Sequence, residues 1–187
     1  FTSTNQLNYY DHYKTEILRG VDTYWLSEPL RTAVTHRHSL TMEGGDEALR
    51  YNLGINYSRE PGVMKESGRN TMGLNLSLQY RRKKWNIQNQ LSLTNVRGDN
   101  SPYGSFSQYT RLNPYYRKTD EYGRYTSFLD RKLLPGEGGG TETIVNPLYN
   151  LLWKYKDFTE NFSVVDNFTI ECAIRDNFRV SMGASIT

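Results

Sequence analysis

The chain has 187 residues, and its 23 basic and 20 acidic side chains give a formal net charge of +3. This near balance does not favour nucleic-acid binding, and a single cysteine excludes an internal disulfide framework. No run of eighteen apolar residues predicts a transmembrane helix. The mean hydropathy is −0.74, yet 13% of the residues are aromatic. Such a composition is too aromatic for a disordered chain and is typical of β proteins.

Residues 1–34 have no clear apolar period and are predicted to form a loop with a short helical turn. We place that turn within residues 22–31, where Trp25 and Leu26 come shortly before Leu30 and Pro29 limits its length. The chain begins at Phe1 and ends inside a strand-like alternation. We therefore expect it to be a piece of a longer polypeptide.

Alternation with a period of two predicts four strands in residues 35–96 and two more in residues 158–187. Short turns at 44–47, 81–84 and 175–177 join strands in pairs. The residues of shared parity that define the strands are His36, His38, Leu40 and Met42; Tyr51, Leu53, Ile55 and Tyr57; Met72, Leu74, Leu76, Leu78 and Tyr80; Trp85, Ile87, Leu91 and Leu93; Phe158, Phe162, Val164, Phe168, Ile170, Cys172 and Ile174; Phe178, Val180, Met182, Ala184 and Ile186.

Residues 97–157 carry repeated turn signals, including Asn113-Pro114, Pro135-Gly136 and Gly138-Gly139-Gly140. We predict one long irregular segment here. A loop of this length in a compact domain is usually functional or disordered.

The fold class is therefore predicted as all-β with antiparallel strands. A soluble sandwich and a transmembrane barrel both bury one face of such strands. Three features favour an incomplete outer-membrane barrel of about six strands. The polar faces are mostly neutral, tight turns alternate with long connections, and aromatic residues stand near the strand ends. These predicted membrane-interface aromatics are Tyr51, Tyr57, Tyr80 and Trp85.

Asp166 interrupts the apolar face of the fifth strand, where a carboxylate facing lipid is unfavourable. Either the strand register shifts at this residue, or the membrane boundary lies lower than the apolar pattern suggests.

Several stretches together resemble one family of transporters. They are Asp22–Leu26, Arg31–Ala33, His38–Glu47, Tyr51–Tyr57 and Gly62-Val63, with Asn113–Tyr115, Asp120–Gly123 and Asn146–Tyr149 further along the chain. This combination of a Trp-containing loop helix, a strand ending in Gly-Gly and a Tyr-bounded strand is similar to the early barrel of SusC/RagA-type TonB-dependent transporters.

The resemblance implies a barrel of about 22 strands in the outer membrane of a Gram-negative bacterium. It further implies active uptake of a glycan or peptide, energised by TonB through an N-terminal plug that this sequence does not include. The expected partners are outer-membrane lipid, a SusD-like surface lipoprotein and the transported nutrient, and not nucleic acid. We expect no cofactor and no enzymatic activity, because no catalytic motif is present.

Aromatic and cationic residues are interleaved in the long segment, which we predict to be extracellular. Flat rings stack on sugars, and Tyr and Arg are common anchors in protein interfaces. The candidate substrate- or partner-binding residues are Tyr103, Phe106, Tyr109, Arg111, Tyr115, Tyr116, Arg117, Tyr122, Arg124 and Tyr125. The simpler alternative is that this loop packs on itself.

Other hypotheses remain open. The chain could be a soluble or surface-attached β-rich module that binds carbohydrate or acts as an adhesin. A glycosidase fragment is less favoured, because the adjacent carboxylates Asp120 and Glu121 point apart in extended chain. His36 and His38 have a spacing that can hold a metal, but no third ligand is evident, so we predict no metal site.

Overall fold

A computed structural model describes residues 4–133 and 140–187. The predicted turn signals at 135–136 and 138–139, and the first three residues of the predicted N-terminal loop, lie outside the described residues. The helical elements are α1 (Thr4–Leu18), α2 (Phe106–Tyr109) and the 3-10 helices η1 (Trp25–Ser27) and η2 (Pro147–Trp153). The strands are β1 (His36–Gly45), β2 (Leu49–Pro61), β3 (Gly68–Arg82), β4 (Trp85–Asp99), β5 (Phe128–Leu133), β6 (Thr141–Val145), β7 (Phe158–Arg175) and β8 (Phe178–Ile186).

These elements form two compact units. The sheet unit comprises Ala33–Gly62, Ser67–Asn100 and Phe158–Thr187, and the loop unit comprises Phe1–Thr32, Val63–Glu66 and Ser101–Asp157. The predicted antiparallel β class is confirmed. None of the described helices is long and apolar enough to cross a membrane.

The sheet unit is one six-stranded antiparallel sheet with the order β1-β2-β3-β4-β7-β8. Each strand pairs with the next sheet strand along the chain, so the topology is a meander. Three tight turns lie at one end of the strands, and the chain makes its two longer connections from the other end. Among the described residues, β1 and β8 each leave one edge unpaired, and the sheet is not closed.

The register places the predicted alternating residues on one face, apart from Ile174 and Phe178 at the irregular end of the β7–β8 pairing. Tyr57 pairs with Met72, and Leu53 with Leu76. Leu74 pairs with Leu93, and Leu93 in turn with Val164. The middle of the opposite face carries small and neutral side chains, namely Ser39, Thr41, Asn52, Asn56, Thr71, Asn75, Ser77, Gln88, Gln90, Ser92, Thr94, Ser163, Asn167, Thr169, Ser181 and Ser185.

The turn between β1 and β2 is set by two residues. Gly45 has φ of +134°, and a Cβ atom there would collide with the Leu49 carbonyl oxygen, so only glycine fits. The Asp46 carboxylate accepts hydrogen bonds from the backbone N–H groups of Leu49 and Ala48 at 2.7 and 2.8 Å. The bond from Leu49, followed by that from Ala48, lowers the pKa of Asp46. This turn fixes the register of the first hairpin.

Helix α1 occupies residues that were predicted to form a loop. It ends where Gly20 adopts φ of +78° and its N–H donates to the Ile17 carbonyl oxygen, a conformation that terminates helices. Tyr13 and Glu16 face inward from the helix, whereas Leu7, Ile17 and Leu18 are exposed. Because its buried face is polar and its apolar residues point outward, the helix gives no apolar period. The predicted turn is present as η1.

The predicted irregular segment also contains regular structure. Strands β5 and β6 form a hairpin with a shift in register between Phe128 and Asp130. Helix η2 follows Asn146, whose side chain accepts a hydrogen bond from the Leu148 N–H at 3.0 Å and whose successor Pro147 suits a first helical position. The expectation of irregular chain throughout residues 97–157 is therefore wrong.

A buried hydrophobic core lies in the loop unit. Trp25, Tyr109, Tyr116 and Leu148 form its centre. The Trp25 indole N–H donates to the Asn113 carbonyl oxygen at 3.0 Å, so the ring is fixed as well as buried. The fully buried Asn146 donates from its side-chain amide to the Lys118 carbonyl oxygen at 3.0 Å. These bonds join stretches that are distant in sequence.

We expect Leu148→Ala to destabilise the loop unit by about 2–5 kcal/mol, because truncating a buried leucine loses contacts and leaves a cavity. Leu148 is 1% exposed. Leu152, in the same short helix and 53% exposed, provides the matched control Leu152→Ala. Protease resistance across a urea series measures both. Equal loss of resistance in the two variants would contradict the assignment of Leu148 to the core.

Candidate functional site

Burial divides the predicted binding residues into two groups. Tyr109 is 1% exposed, and its hydroxyl donates to the Tyr103 carbonyl oxygen at 2.9 Å. Burial raises the pKa of the Tyr109 phenol and, less strongly, that of Tyr103. Tyr116 is also buried, and Tyr125 packs against the same core. These four rings stabilise the loop unit, as the self-packing alternative predicts.

Arg117 is held by a carboxylate and does not extend freely from the surface. Its guanidinium pairs with Glu16 of α1, and Arg19 pairs with the same carboxylate at 3.1 Å. The Tyr13 hydroxyl, on the same helix, donates to Asp130 at 2.8 Å. Helix α1 therefore attaches to the rest of the unit through polar contacts. Neither Tyr13 nor Glu16 was predicted from the sequence, because no local signal marks a polar helix face that pairs with residues a hundred positions away.

The remaining predicted residues are at or near the surface. Phe106 and Arg111 are exposed, and Tyr115 is half-buried. Tyr122 is 81% exposed, and the Arg124 guanidinium carbon lies 5.1 Å from the centre of its ring. Arg124 also pairs with Asp120 at 2.9 Å. The Tyr122 ring and the Arg124 guanidinium are therefore exposed side by side.

Asp120 organises the turn that carries Tyr122. Its carboxylate accepts hydrogen bonds from the backbone N–H groups of Arg124 and Tyr122, each at 2.9 Å. The Arg124 backbone bond is the largest cause of a lowered pKa at Asp120. Gly123, with φ of +77°, completes the turn. These bonds give Asp120 a structural role.

A cleft of about 530 Å³ within the loop unit is lined by both polar and aliphatic side chains. Arg111 and Tyr116 belong to the predicted set, while Gln108, Glu142 and Asn150 were missed because nothing in the sequence links the three segments that carry them. Its full lining is Ser107, Gln108, Arg111, Leu112, Tyr116, Glu142, Thr143, Ile144, Val145, Pro147 and Asn150. Amide, guanidinium and carboxylate groups in one cleft with Leu112 and Ile144 suit a ligand with several hydroxyl or amide groups.

A second cleft in the loop unit, of about 450 Å³, is more apolar. Phe106 and Tyr24 lie on it together with Leu26, Leu30 and Val63. Tyr24 and Val63 are both strongly exposed. Its lining would suit an apolar side chain of a protein partner.

In the sheet unit, the four predicted interface aromatics all lie on the apolar face. Tyr57 pairs with His38 near the end of the strands from which the longer connections leave. Tyr51, Tyr80 and Trp85 lie toward the tight turns, where Tyr80 pairs with Leu49 and Trp85 with Cys172. Aromatic side chains therefore stand toward both ends of the apolar face.

The register shift, one of the two alternatives given for Asp166, is absent from the strand pairing. Strands β4 and β7 pair without interruption, and Asp166 pairs with Leu91 on the apolar face. The Asn89 side-chain amide donates to the Asp166 carboxylate at 2.6 Å, and Asn95 donates to Glu160 at 3.1 Å. Each carboxylate thus has an amide partner on the neighbouring strand, which lowers the cost of placing it on an apolar surface.

The histidine pair lies at one end of β1. The rings of His36 and His38 are 5.7 Å apart, and the His38 ring stacks on Tyr57 with 6.5 Å between ring centres. No group of three or more metal-ligating side chains occurs in residues 4–133 and 140–187. The absence of a metal site stays a prediction.

No protein-family model matches this chain, and no curated protein matches it either.

We expect Arg117→Gln to lower the stability of the loop unit by about 1–3 kcal/mol, because it leaves the buried Glu16 carboxylate with Arg19 alone. The cost is reduced because the Arg117 side chain is 34% exposed. Arg111→Gln removes the same charge from the rim of the larger cleft and should leave stability unchanged. The two variants are compared by the urea concentration at which half of the protease resistance is lost. A lower midpoint for Arg111→Gln alone would contradict the structural role of Arg117 and the rim position of Arg111.

Proposed function

We propose that the sheet unit is part of a transmembrane β-barrel in a bacterial outer membrane, with its apolar face against lipid. One observation carries this proposal: the described side chains of the apolar face are half-buried or exposed and none is buried, and the middle of the opposite face is neutral and polar. Met72 is 59% exposed, Phe162 68% and Met182 76%. An exposed apolar patch on a soluble monomer rarely exceeds a few hundred Å², whereas a barrel presents such a face to hydrocarbon.

The polar face supports the same proposal. Its hydrogen bonds join neighbouring strands through short neutral side chains, as between Ser92 and Asn75 at 2.9 Å and between Ser185 and Asn167 at 2.8 Å. The charged residues of this face stand toward the strand ends. Water-facing strands of soluble proteins usually carry more Lys and Glu, which discourage aggregation. A lumen filled by water or protein suits the groups that are present.

Strand lengths are compatible with spanning a bilayer. A transmembrane strand needs about 9–11 residues when tilted, and β2, β3, β4 and β7 have 13, 15, 15 and 18. The apolar run of β3 from Met72 to Tyr80 extends over roughly 26 Å at about 3.3 Å per residue, which at a tilt of about 40° spans roughly 20 Å of membrane height. This is close to the apolar band of outer-membrane barrels, which is about 25 Å tall.

We further propose that the protein acts in TonB-dependent uptake of a glycan or another large nutrient, as the resemblance to SusC/RagA-type transporters implies. The polar cleft of the loop unit would contact the nutrient, and the apolar cleft beside Phe106 would contact a SusD-like lipoprotein. TonB would act through a plug elsewhere in the natural polypeptide. The alternative of a soluble or surface-attached carbohydrate-binding module or adhesin requires a second layer to cover the apolar face.

Two adjacent residues of β3 test the lipid contact. Leu76→Arg places a charge on the apolar face and Asn75→Arg places it on the polar face. We expect Leu76→Arg to abolish the heat-modifiable band in the outer membrane, because a lipid-facing arginine near mid-membrane costs about 2–4 kcal/mol. Asn75→Arg should leave the band in place. Cell fractionation and mobility of unheated samples measure both.

A nitroxide label separates the barrel from the soluble alternative, in a Cys172→Ala background. A label at position 53, on the apolar face, should be accessible to oxygen and protected from a water-soluble nickel complex. A label at position 52 should show the reverse. A label at 53 protected from both reagents, in protein that needs no detergent, would overturn the membrane proposal.

A further inference from the structure

We propose that the polar cleft of the loop unit binds a short peptide in extended conformation, which adds as a third strand to the unpaired edge of β6. This inference rests on the proposed function, because it names the class of nutrient that the cleft would contact. Four consecutive residues of β6, residues 142–145, line the cleft. The rest of its lining comes from α2, from the segment after α2 and from η2.

Strand β6 has an edge without a partner among the described residues. It lies in a two-stranded sheet, in which its neighbour is β5. The N–H of Asn146, whose backbone is still extended, donates to the Ser127 carbonyl oxygen just before β5, at 3.2 Å. Successive N–H groups of a strand point to opposite sides, so those of Val145 and Thr143 point away from β5. Such an edge is a template for an added strand.

The cleft follows this edge of β6. Side chains alternate between the two faces of a strand, so a cleft on one face would be lined by every second residue. All four of residues 142–145 line this cleft, which is the pattern expected along an edge. Ile144 and the 63% exposed Val145 lie beside Leu112 in the lining. Apolar groups next to a strand edge can receive alternate side chains of an added peptide.

Two opposite charges in the lining match the two ends of a peptide. Arg111 and Glu142 are the charged residues that line the cleft, and both are exposed. Within residues 4–133 and 140–187, neither forms an ion pair. A peptide with free ends brings one carboxylate and one ammonium, which a guanidinium and a carboxylate bind through charge-assisted hydrogen bonds.

The lining favours a peptide over a glycan. Among the described residues that line the cleft, Tyr116 is the one aromatic, and it is 8% exposed within the core. The cleft therefore lacks an open ring on which a sugar could stack. The amides of Gln108 and Asn150 can bond either ligand, whereas a strand edge matches the repeat of a peptide main chain.

The test measures binding to the full natural polypeptide in detergent by isothermal titration calorimetry. The probe is a pentapeptide of alanine and valine with free ends. The same pentapeptide with an acetyl and an amide cap should bind about tenfold more weakly, because it loses its charge-assisted hydrogen bonds. A form with every backbone amide methylated should also bind about tenfold more weakly, because it cannot donate to the strand edge.

Two double variants locate the charges that recognise the peptide ends. Arg111→Gln combined with Glu142→Gln should bind the free and the capped pentapeptide equally well. The matched control, Lys14→Gln combined with Glu121→Gln, removes the same charges from exposed positions of the loop unit outside the cleft. It should keep the tenfold difference between the two peptides. Loss of that difference in both double variants, or undiminished binding of the methylated peptide, overturns the inference.

A neutral oligosaccharide of five glucose units tests the other nutrient class. We expect it neither to bind the cleft nor to displace the pentapeptide. Tighter binding of the oligosaccharide than of the pentapeptide overturns the inference and leaves nutrient uptake standing. Binding of neither probe overturns both the inference and the contact of this cleft with a nutrient. The proposed membrane location is tested separately, by Leu76→Arg.

Discussion

The structure depends on a sheet that exposes an apolar face. In a soluble protein the burial of such a face drives folding, at roughly 25 cal/mol per Å² removed from water. Here the buried hydrophobic residues of the described chain belong to the loop unit, and the six long strands have apolar side chains such as Met72 and Phe162 open to their surroundings. Under the proposed membrane location, the sheet receives an apolar environment from outside the described residues. Its polar face, its strand lengths and its aromatic positions are consistent with lipid as that environment.

The loop unit is stabilised in a different way. Its core is small and built from large rings, whose polar atoms form hydrogen bonds. Trp25 donates to the Asn113 carbonyl oxygen, and Tyr109 donates to the Tyr103 carbonyl oxygen. A buried tyrosine or tryptophan excludes water and also has a fixed ring orientation, because leaving its polar atom without a hydrogen bond in the core costs free energy. Part of the high aromatic content of the sequence thus serves to stabilise the core of the loop unit. The rings left at the surface, such as Tyr122, are available for contact with a ligand.

Sequence patterns predicted the sheet well because its apolar residues repeat every second position within each strand. The loop unit was predicted poorly for a physical reason. Trp25 and Asn113 are bonded across 88 positions, and Tyr13 and Asp130 across 117. Contacts of that range leave no local period, so α1 and η2 were missed and Tyr109 was expected to bind a ligand. The well-predicted sheet also contains a contact that the sequence pattern does not reveal. Asn89, the partner of Asp166, lies on the adjacent strand, and the two residues can be matched only when the strand register is known.

The range of these contacts also bears on the order of folding. The β1–β2 and β3–β4 hairpins close over a few residues each and are expected to form quickly, whereas long-range contacts form slowly. Trp25 and α1 are synthesised before their partners, which lie between residues 109 and 148. The stretch that carries Trp25 must therefore wait, with its indole ring unpaired, until those partners are made. A holding chaperone that binds exposed aromatic segments would protect this stretch in the interval.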